Sequence, residues 1–513
     1  MPRVQPNWPS PRMRPPVRNR DGRRAGSYDL RGPRYGPCDI QVIGYEHCRP
    51  GIVATQMKGN EMTITENDPT LQLRSRPKSQ DADSTYSAIR RFGQLESYYS
   101  RRGLTIRWAA LVDGRIDIEL MIAAFDALAD RNPVLRSIVR KDDDGYFLET
   151  PESNTLPKYI GYGDPIDFVN LLSPPIDQTS HLAELEIVHG DDQAGIALTI
   201  CNNIADATAL TAYFSELWEN YTELWTHGVI TDREIRPIPN GPEHWLDPAQ
   251  APAMPAPLEG QFIQPASMVS GVASVRDRIP LEFSQATTSA LRQVTKEWGT
   301  TVHAAVTGAV LTAERNLIDQ DGRVPMALRS SVDLRRRMEN VIEPLEATAF
   351  LGQVMTQLHV DCEEPPLAVG KRVVDSIRAR IADGAAIYSS VQPADDYRPQ
   401  ISYAVNGGVI SDLRTPNGTT IKKIVLGISE HIEYRAVTYA SWTFGGRLHI
   451  DIIVPWAAMS RDCRIELARK IHHAIVSIAE NGSVADAQAG PDLGELERLF
   501  SSADRPMSMR RDL

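Results

Sequence analysis

A short polar turn follows the apolar, strand-like run GIALTIC. The run ends at Cys201, and Asn202 and Asn203 come directly after it, with Asp206 just before a helix-like segment. Short polar side chains at the end of a buried strand are typical of a loop that presents groups to a ligand. A carboxamide donates and accepts hydrogen bonds but does not titrate near neutral pH, so neither asparagine can act as a general base. The turn therefore indicates a binding or catalytic site without an obvious base.

The elements that position this turn belong to a mixed α/β chain. Alternating strand-like and helix-like patterns fill residues 85–245, and a second series fills 270–495. Seven prolines between positions 237 and 257 indicate an extended connection, which we place at 246–269. The length of 513 residues is also too great for one ordinary core. The sequence therefore predicts two domains joined by a linker.

The two ends of the chain lack the periodicity of packed elements. Residues 1–60 hold eleven Lys or Arg and four Asp or Glu. We expect 1–84 to be a disordered, basic and proline-rich extension that does not pack, and 496–513 to be a flexible tail. Met57 or Met62 is an alternative start of the chain.

The composition excludes several functional classes. The net charge is -11, and the region after residue 60 is acidic, which argues against nucleic acid as a partner. No apolar run is long enough for a membrane span. The five cysteines, at 38, 48, 201, 362 and 463, are odd in number and widely separated, as expected for a reducing cytoplasm. No His, Cys, Asp and Glu spacing indicates a metal site.

Several segments carry a resemblance to a known superfamily. CNNIADA resembles the His-His-x-x-x-Asp-Gly motif of the condensation-domain superfamily. SVDLRRRM, AFLGQV, AVNGGVISDLRTPNGTTI and FDALADRNPVLRSIV resemble further segments of the polyketide-associated acyltransferases. The resemblance covers about residues 85–490 and is closest to the phthiocerol dimycocerosyl transferase-like group.

The resemblance implies a fold and a reaction. It implies two chloramphenicol-acetyltransferase-like α/β domains in a V-shaped pseudodimer, with a tunnel between them. It implies transfer of an acyl group from a coenzyme A or acyl-carrier-protein thioester to a hydroxyl or amine of a polyketide, lipid or peptide. The thioester is a co-substrate, and no tightly bound cofactor is implied. An acyl carrier protein or a polyketide or peptide synthase is the expected partner, and we expect a monomer.

The chain departs from the motif at the residue on which the chemistry depends. Aligned on Asp206, the two family histidines fall on Cys201 and Asn202, and the second of them is the family's general base. The resemblance implies that Asn202 and Asp206 occupy the catalytic positions. It also implies that Asp206 pairs with Arg335, or with Arg337 as the second choice, and so holds the loop in shape. The other interpretation of Arg335–Arg337 is a solvated turn.

The remaining candidates have ordinary structural alternatives. Cys201, Asn203, Arg337 and Asn406 are candidates for the tunnel wall, although a buried strand end is also an ordinary place for a packing cysteine. His189, His303 and His359 could replace the missing base, although packing is the more ordinary role for His303.

Three functions therefore remain open. The first is an acyltransferase whose activity is attenuated by Asn202. The second is a degenerate family member that binds and recruits a partner. The third is a different reaction in the same tunnel, in which Asn202 and Asn203 hydrogen-bond a substrate.

Overall fold

Strands from both halves of the chain build the two large sheets of the protein. The computed structural model describes residues 41–44, 53–57, 90–151, 154–252, 276–391, 401–430, 437–455 and 459–480. The strands in these ranges are β1 (Gln41–Gly44), β2 (Val53–Met57), β3 (Arg90–Arg91), β4 (Thr105–Asp113), β5 (Ile138–Asp142), β6 (Gly145–Glu149), β7 (Lys158–Tyr162), β8 (Ala183–His189), β9 (Gln193–Cys201), β10 (Arg276–Glu282), β11 (Val324–Asp333), β12 (Leu351–Val360), β13 (Ser402–Val409), β14 (Thr420–Ser429), β15 (Thr438–Phe444) and β16 (Arg447–Pro455).

The helices in the same ranges cover the sheets. They are α1 (Gln94–Arg102), α2 (Ile118–Arg131), α3 (Pro165–Asn170), α4 (Ala207–His227), α5 (Gln285–Glu297), α6 (Val302–Arg315), α7 (Pro366–Ala382), α8 (Ala385–Tyr388) and α9 (Arg461–Glu480). Helix α2 ends before Asn132, where Pro133 begins a 3-10 turn, because a residue before proline is disfavoured in the helical region. The predicted mixed α/β class is confirmed.

The first large sheet has the strand order β1-β2-β7-β8-β9-β4-β14. Strand β9 lies between β8 and β4 and is antiparallel to both. Its side chains from Ala194 to Cys201 are buried, which explains the apolar run that precedes the polar turn. A central strand with two paired neighbours gives the turn after it a rigid support.

Strand β14 belongs to the second half in sequence but to the first sheet in space. It pairs antiparallel with β4, from Thr420 opposite Asp113 to Ser429 opposite Thr105. Its buried residues join the core of the first half, together with residues of β15. The predicted boundary at 246–269 therefore does not separate two independent sheets. All described residues lie in one compact unit, Ile40–Leu513.

Two strands lie where the sequence analysis expects no packed element. β1 pairs with β2, and β2 pairs with β7 from Val53 opposite Tyr162 to Met57 opposite Lys158. These two strands fall within the segment 1–84, for which the sequence predicts a disordered extension. The signal in the sequence is weak here because a short strand has too few residues to show a period of two. The other residues before 90, most of the predicted linker and the predicted tail at 496–513 lie outside the described residues.

The second large sheet has the strand order β10-β16-β15-β13-β11-β12. Helices α5, α6 and α9 pack their apolar residues against this sheet. Helices α6 and α7 approach each other through two glycines. A Cβ atom added to Gly308 would lie 1.9 Å from the carbonyl oxygen of Pro366, and one added to Gly370 would lie 1.7 Å from that of Ala304. The contact therefore requires residues without side chains.

We predict that Gly370→Ala destabilises the protein although alanine favours helices. The new methyl group meets backbone rather than a mobile side chain, so we expect a loss of about 1–3 kcal/mol in the free energy of unfolding. Urea unfolding measures the loss. The control is Gly190→Ala, because a Cβ atom there would find its nearest neighbour at 3.5 Å. Equal stabilities of the two variants would contradict the prediction.

Candidate active site

The turn between β9 and α4 places Asn202 at the wall of a cavity. The Asn202 N–H donates to the carbonyl oxygen of Leu104 at 2.8 Å, and the Ile204 N–H donates to that of Cys201 at 3.1 Å. At the other end of the turn, Asp206 caps α4 by accepting from the Ala209 N–H at 3.0 Å. Both ends of the turn are thereby fixed to regular elements.

The Asn202 side chain is available to a ligand. The residue is 4% exposed and lines a cavity of about 70 Å³. A carboxamide both donates and accepts hydrogen bonds, so a ligand or water in the cavity can bond to it. This position agrees with the binding or catalytic site expected at the turn.

The cavity has walls from both halves of the chain. Helix α1, strand β4 and strand β14 form one side, and strands β11, β12, β13 and β15 form the other. The polar side chains of the wall, besides Asn202, include Tyr98, Arg102, Ser331, Gln353, Tyr403 and Glu430. The site therefore exists only when both sheets are in place.

A buried ion pair joins the turn to the second half. Arg335 donates from Nη1 to Oδ2 of Asp206 at 2.6 Å, and the two side chains are 2% and 0% exposed. The same Asp206 oxygen accepts from the Phe350 N–H at 2.8 Å. The structure thus brings together the pair proposed from the motif. Of the two candidate arginines, Arg335 is buried and Arg337 is exposed.

The segment 346–350, which we name the strap, receives bonds from several elements. The Arg335 guanidinium donates to the carbonyl oxygens of Ala347 and Thr348 at 3.3 and 2.8 Å. The Thr348 hydroxyl donates to Glu96 of α1 at 2.7 Å. The Thr348 N–H donates to the carbonyl oxygen of Asn240 at 3.0 Å. The strap therefore ties α1, the turn and the connection between the halves to the second sheet.

The Glu430 carboxylate of the cavity wall forms an ion pair, and the phenols of Tyr99 and Tyr403 are kept neutral. The Glu430 carboxylate accepts from the Arg102 guanidinium, whose Nε lies 3.0 Å away, and Arg102 also donates to the Tyr98 hydroxyl at 2.6 Å. Burial raises the pKa of Tyr403 above that of a free phenol, and burial raises the pKa of Tyr99 well above it. Both phenols are therefore hydrogen-bond donors at neutral pH and not bases.

Four predicted wall residues do not line this cavity. Cys201 packs in the core of the first half, and burial raises the pKa of its thiol well above the usual value. Asn203 is buried and donates to the Ser100 hydroxyl and to Gln178 at 2.9 and 2.8 Å. Arg337 and Asn406 are exposed. Side chains alternate between the two faces of a strand, and Cys201 at the end of β9 faces the core rather than the cavity. Asn406 does not line the cavity because it lies in the exposed end of β13.

The three candidate histidines do not replace the missing base at this cavity. His189 ends β8 and His359 is exposed in β12, away from the residues that line the cavity. Burial lowers the pKa of His303 to about 4, so its imidazole is neutral at working pH. None of the three is among the residues lining the cavity.

Sequence reasoning missed the tyrosines and the arginine of α1. The signal was present in QLESYYSRR, where aromatic residues adjoin a basic helix end. It had no spacing that singles out a site, because the cavity is assembled from strands distant in sequence.

The described residues contain no cluster of three or more His, Cys, Asp or Glu that could hold a metal ion. No helix among them is long and apolar enough to cross a bilayer.

Comparison with known proteins supports the resemblance at two levels. Residues 273–453 match the family model described as the phthiocerol/phthiodiolone dimycocerosyl transferase C-terminus. A phthiocerol/phthiodiolone dimycocerosyl transferase from Mycobacterium sp. (strain JLS) is 24% identical over 420 residues, 76% of this chain and 98% of that protein.

Solved structures share the fold. Polyketide synthase associated protein 5 from Mycobacterium tuberculosis aligns with a TM-score of 0.62 and 21% identity, over 78% of this chain and 99% of that one. The TRI3 trichothecene 15-O-acetyltransferase from Fusarium sporotrichioides aligns with a TM-score of 0.58 and 11% identity, over 76% and 95%. The V-shaped arrangement and the tunnel stay predictions.

We predict that Asp206→Ala lowers stability strongly. The substitution leaves the Arg335 charge unpaired in a buried position and removes the acceptor for the Phe350 N–H, so we expect a loss of about 3–5 kcal/mol. Chemical unfolding measures it. The control is Asp375→Ala, which breaks a pair with Lys371 whose side chains are 46% and 43% exposed and should cost less than about 1 kcal/mol. Similar losses in both variants would show that the Asp206–Arg335 pair does not hold the fold.

Proposed function

We propose that the protein transfers an acyl group from a thioester to an acceptor bound beside Asn202, a proposal supported by its similarity to the condensation-domain and polyketide-associated acyltransferases. The observation that carries the proposal is the position of Asn202, which is 4% exposed and lines a cavity between the two sheets. The Asp206–Arg335 pair supports it, since the resemblance implies this pair and the structure contains it.

With the residues that the structure describes, the site can orient and polarise a substrate but offers no group that removes a proton. The Asn202 amide N–H can donate to the oxygen of the thioester carbonyl as negative charge develops on it, and the amide oxygen can accept from the acceptor. A missing general base typically costs about 10²–10⁴-fold in rate. We therefore expect attenuated transfer to an alcohol, at a rate supplied by proximity and by hydrogen bonding.

The co-substrates are proposed only as chemical classes. The donor is an acyl thioester of coenzyme A or of an acyl carrier protein, and the acceptor is a hydroxyl or amine of a polyketide, lipid or peptide. A polyketide or peptide synthase is the proposed partner, and the protein is proposed to act as a monomer without a tightly bound cofactor.

A second function is favoured by one observation. Asn202 and Cys201 stand where the family motif has its two histidines, and Cys201 is packed away from the cavity. A chain that keeps the scaffold and loses both imidazoles would suit a protein that binds an acyl carrier or a partner enzyme without turnover. A different reaction in the same cavity is the third candidate.

We predict that Asn202→His raises acyl transfer from octanoyl coenzyme A to 1-octanol by about tenfold or more. The imidazole would supply the missing proton acceptor, and its unperturbed pKa of about 6.5 lies near working pH. Ester formation measured by mass spectrometry reports the transfer. The wild-type rate should rise with pH as hydroxide takes over the role of the base, whereas the rate of the variant should level off above the imidazole pKa.

Asn202→Ala is the matched control for a change at this position. Robust wild-type transfer to 1-octanol that Asn202→Ala abolishes would show that the amide itself is sufficient for catalysis. An Asn202→His variant that is inert toward 1-octanol, with unchanged melting temperature, would contradict transfer to an alcohol at this cavity.

A further inference from the structure

Among the described residues, the cavity wall offers hydrogen-bond donors but no free base. Asn202 does not titrate, the Glu430 carboxylate is already bound by Arg102, and burial keeps the Tyr99 and Tyr403 phenols protonated. In the described part of the wall, no histidine is present. An acceptor in this cavity must therefore become nucleophilic without help from a wall side chain.

Acceptor classes differ in how many protons the protein must take from them. An alcohol is almost fully protonated at neutral pH, so its attack on a thioester requires a base. An amine with a pKa of about 8 is partly free base at pH 7, but after attack its adduct must lose a further proton to a base. A thiol has a pKa of about 8.5, so it supplies a small thiolate fraction unaided, and thiolate is a strong nucleophile.

We propose that the native acceptor is a second thiol and that the site exchanges an acyl group between thiols. This inference rests on the proposed acyl transfer at this cavity and replaces its hydroxyl or amine acceptor by a thiol. In the step, the acceptor thiolate sulfur forms a bond to the thioester carbonyl carbon, and the carbonyl oxygen takes the negative charge. The tetrahedral adduct then reforms the carbonyl and expels the donor sulfur as thiolate. One thiolate is consumed and one is released, so no proton passes to or from the wall.

The geometry of the wall suits this reaction. The step requires a donor to the developing oxyanion, and the Asn202 amide N–H is such a donor, held by a turn that is fixed at both ends. Replacement of imidazole by carboxamide removes the proton acceptor, which thiol exchange does not need. An alcohol acceptor does need that proton acceptor, so the same replacement slows its attack.

Three matched acceptors test the proposal with the full chain. N-acetylcysteamine, N-acetylethylenediamine and N-acetylethanolamine share one skeleton and differ only in their thiol, amine or hydroxyl group. Each is offered with octanoyl coenzyme A, and mass spectrometry follows the octanoyl product. The reference for the uncatalysed rate is Ser331→Trp, which fills the cavity, with Val405→Trp as a second blocking variant if the first lowers the melting temperature.

We expect the wild type to acylate the thiol at least about tenfold faster than the blocked variant does, with no such acceleration for the alcohol. The accelerated rate should follow ionisation of the acceptor and level off above about pH 8.5. Asn202→His should raise the ratio of alcohol to thiol acylation by about tenfold or more.

Acceleration of the alcohol or the amine beyond that of the thiol would overturn the thiol proposal and leave acyl transfer intact. Absence of acceleration of the thiol, with alcohol acylation by Asn202→His, would likewise overturn the thiol proposal alone. Absence of transfer to every acceptor in both proteins would overturn the proposed function together with this inference.

Discussion

The buried ion pair between Asp206 and Arg335 is the interaction on which the site depends. Its carboxylate begins α4 and receives the Phe350 N–H, while its guanidinium donates to the carbonyl oxygens of Ala347 and Thr348. A buried charge pair contributes little net stability by itself, but it penalises every arrangement in which one partner is unpaired. The pair therefore selects one position of the first-half turn relative to the second-half strap.

The position of the turn relative to the strap in turn determines the shape of the cavity. Glu96 lies in the first turn of α1 and holds the strap through Thr348, and α1 then carries Tyr98 and Arg102 into the wall. Asn202 lines the cavity from the turn that contains Asp206 of the same ion pair. Geometry and proton transfer are thus separate properties here: the hydrogen bonds around Asp206 hold the geometry, and one side chain decides whether a base is present.

The local part of this arrangement could be predicted from sequence. The apolar run before Asn202, the capping carboxylate at Asp206 and the basic turn at Arg335 are each short-range patterns, and the motif supplies the pairing between them. The candidate tunnel-wall residues do not line the cavity. Asn406 belongs to a motif segment, yet its strand end is exposed, and Tyr403, three residues earlier, lines the cavity instead. Alternation in a strand reverses the facing of a side chain with each residue, so proximity in sequence does not place a group in a site.

Strand β14 has a consequence for how the protein is made. Residues Thr105 and Ser429, which face each other in the β4–β14 pairing, are 324 positions apart. On the ribosome, β4 and β9 emerge long before β14, so the hydrogen-bonding edge of β4 that β14 later covers stays open while the second half is synthesised. Open strand edges are templates for pairing with other chains, and pairings this distant in sequence form slowly. The first sheet is thus completed only near the end of translation, and the nascent chain needs its β4 edge shielded until then.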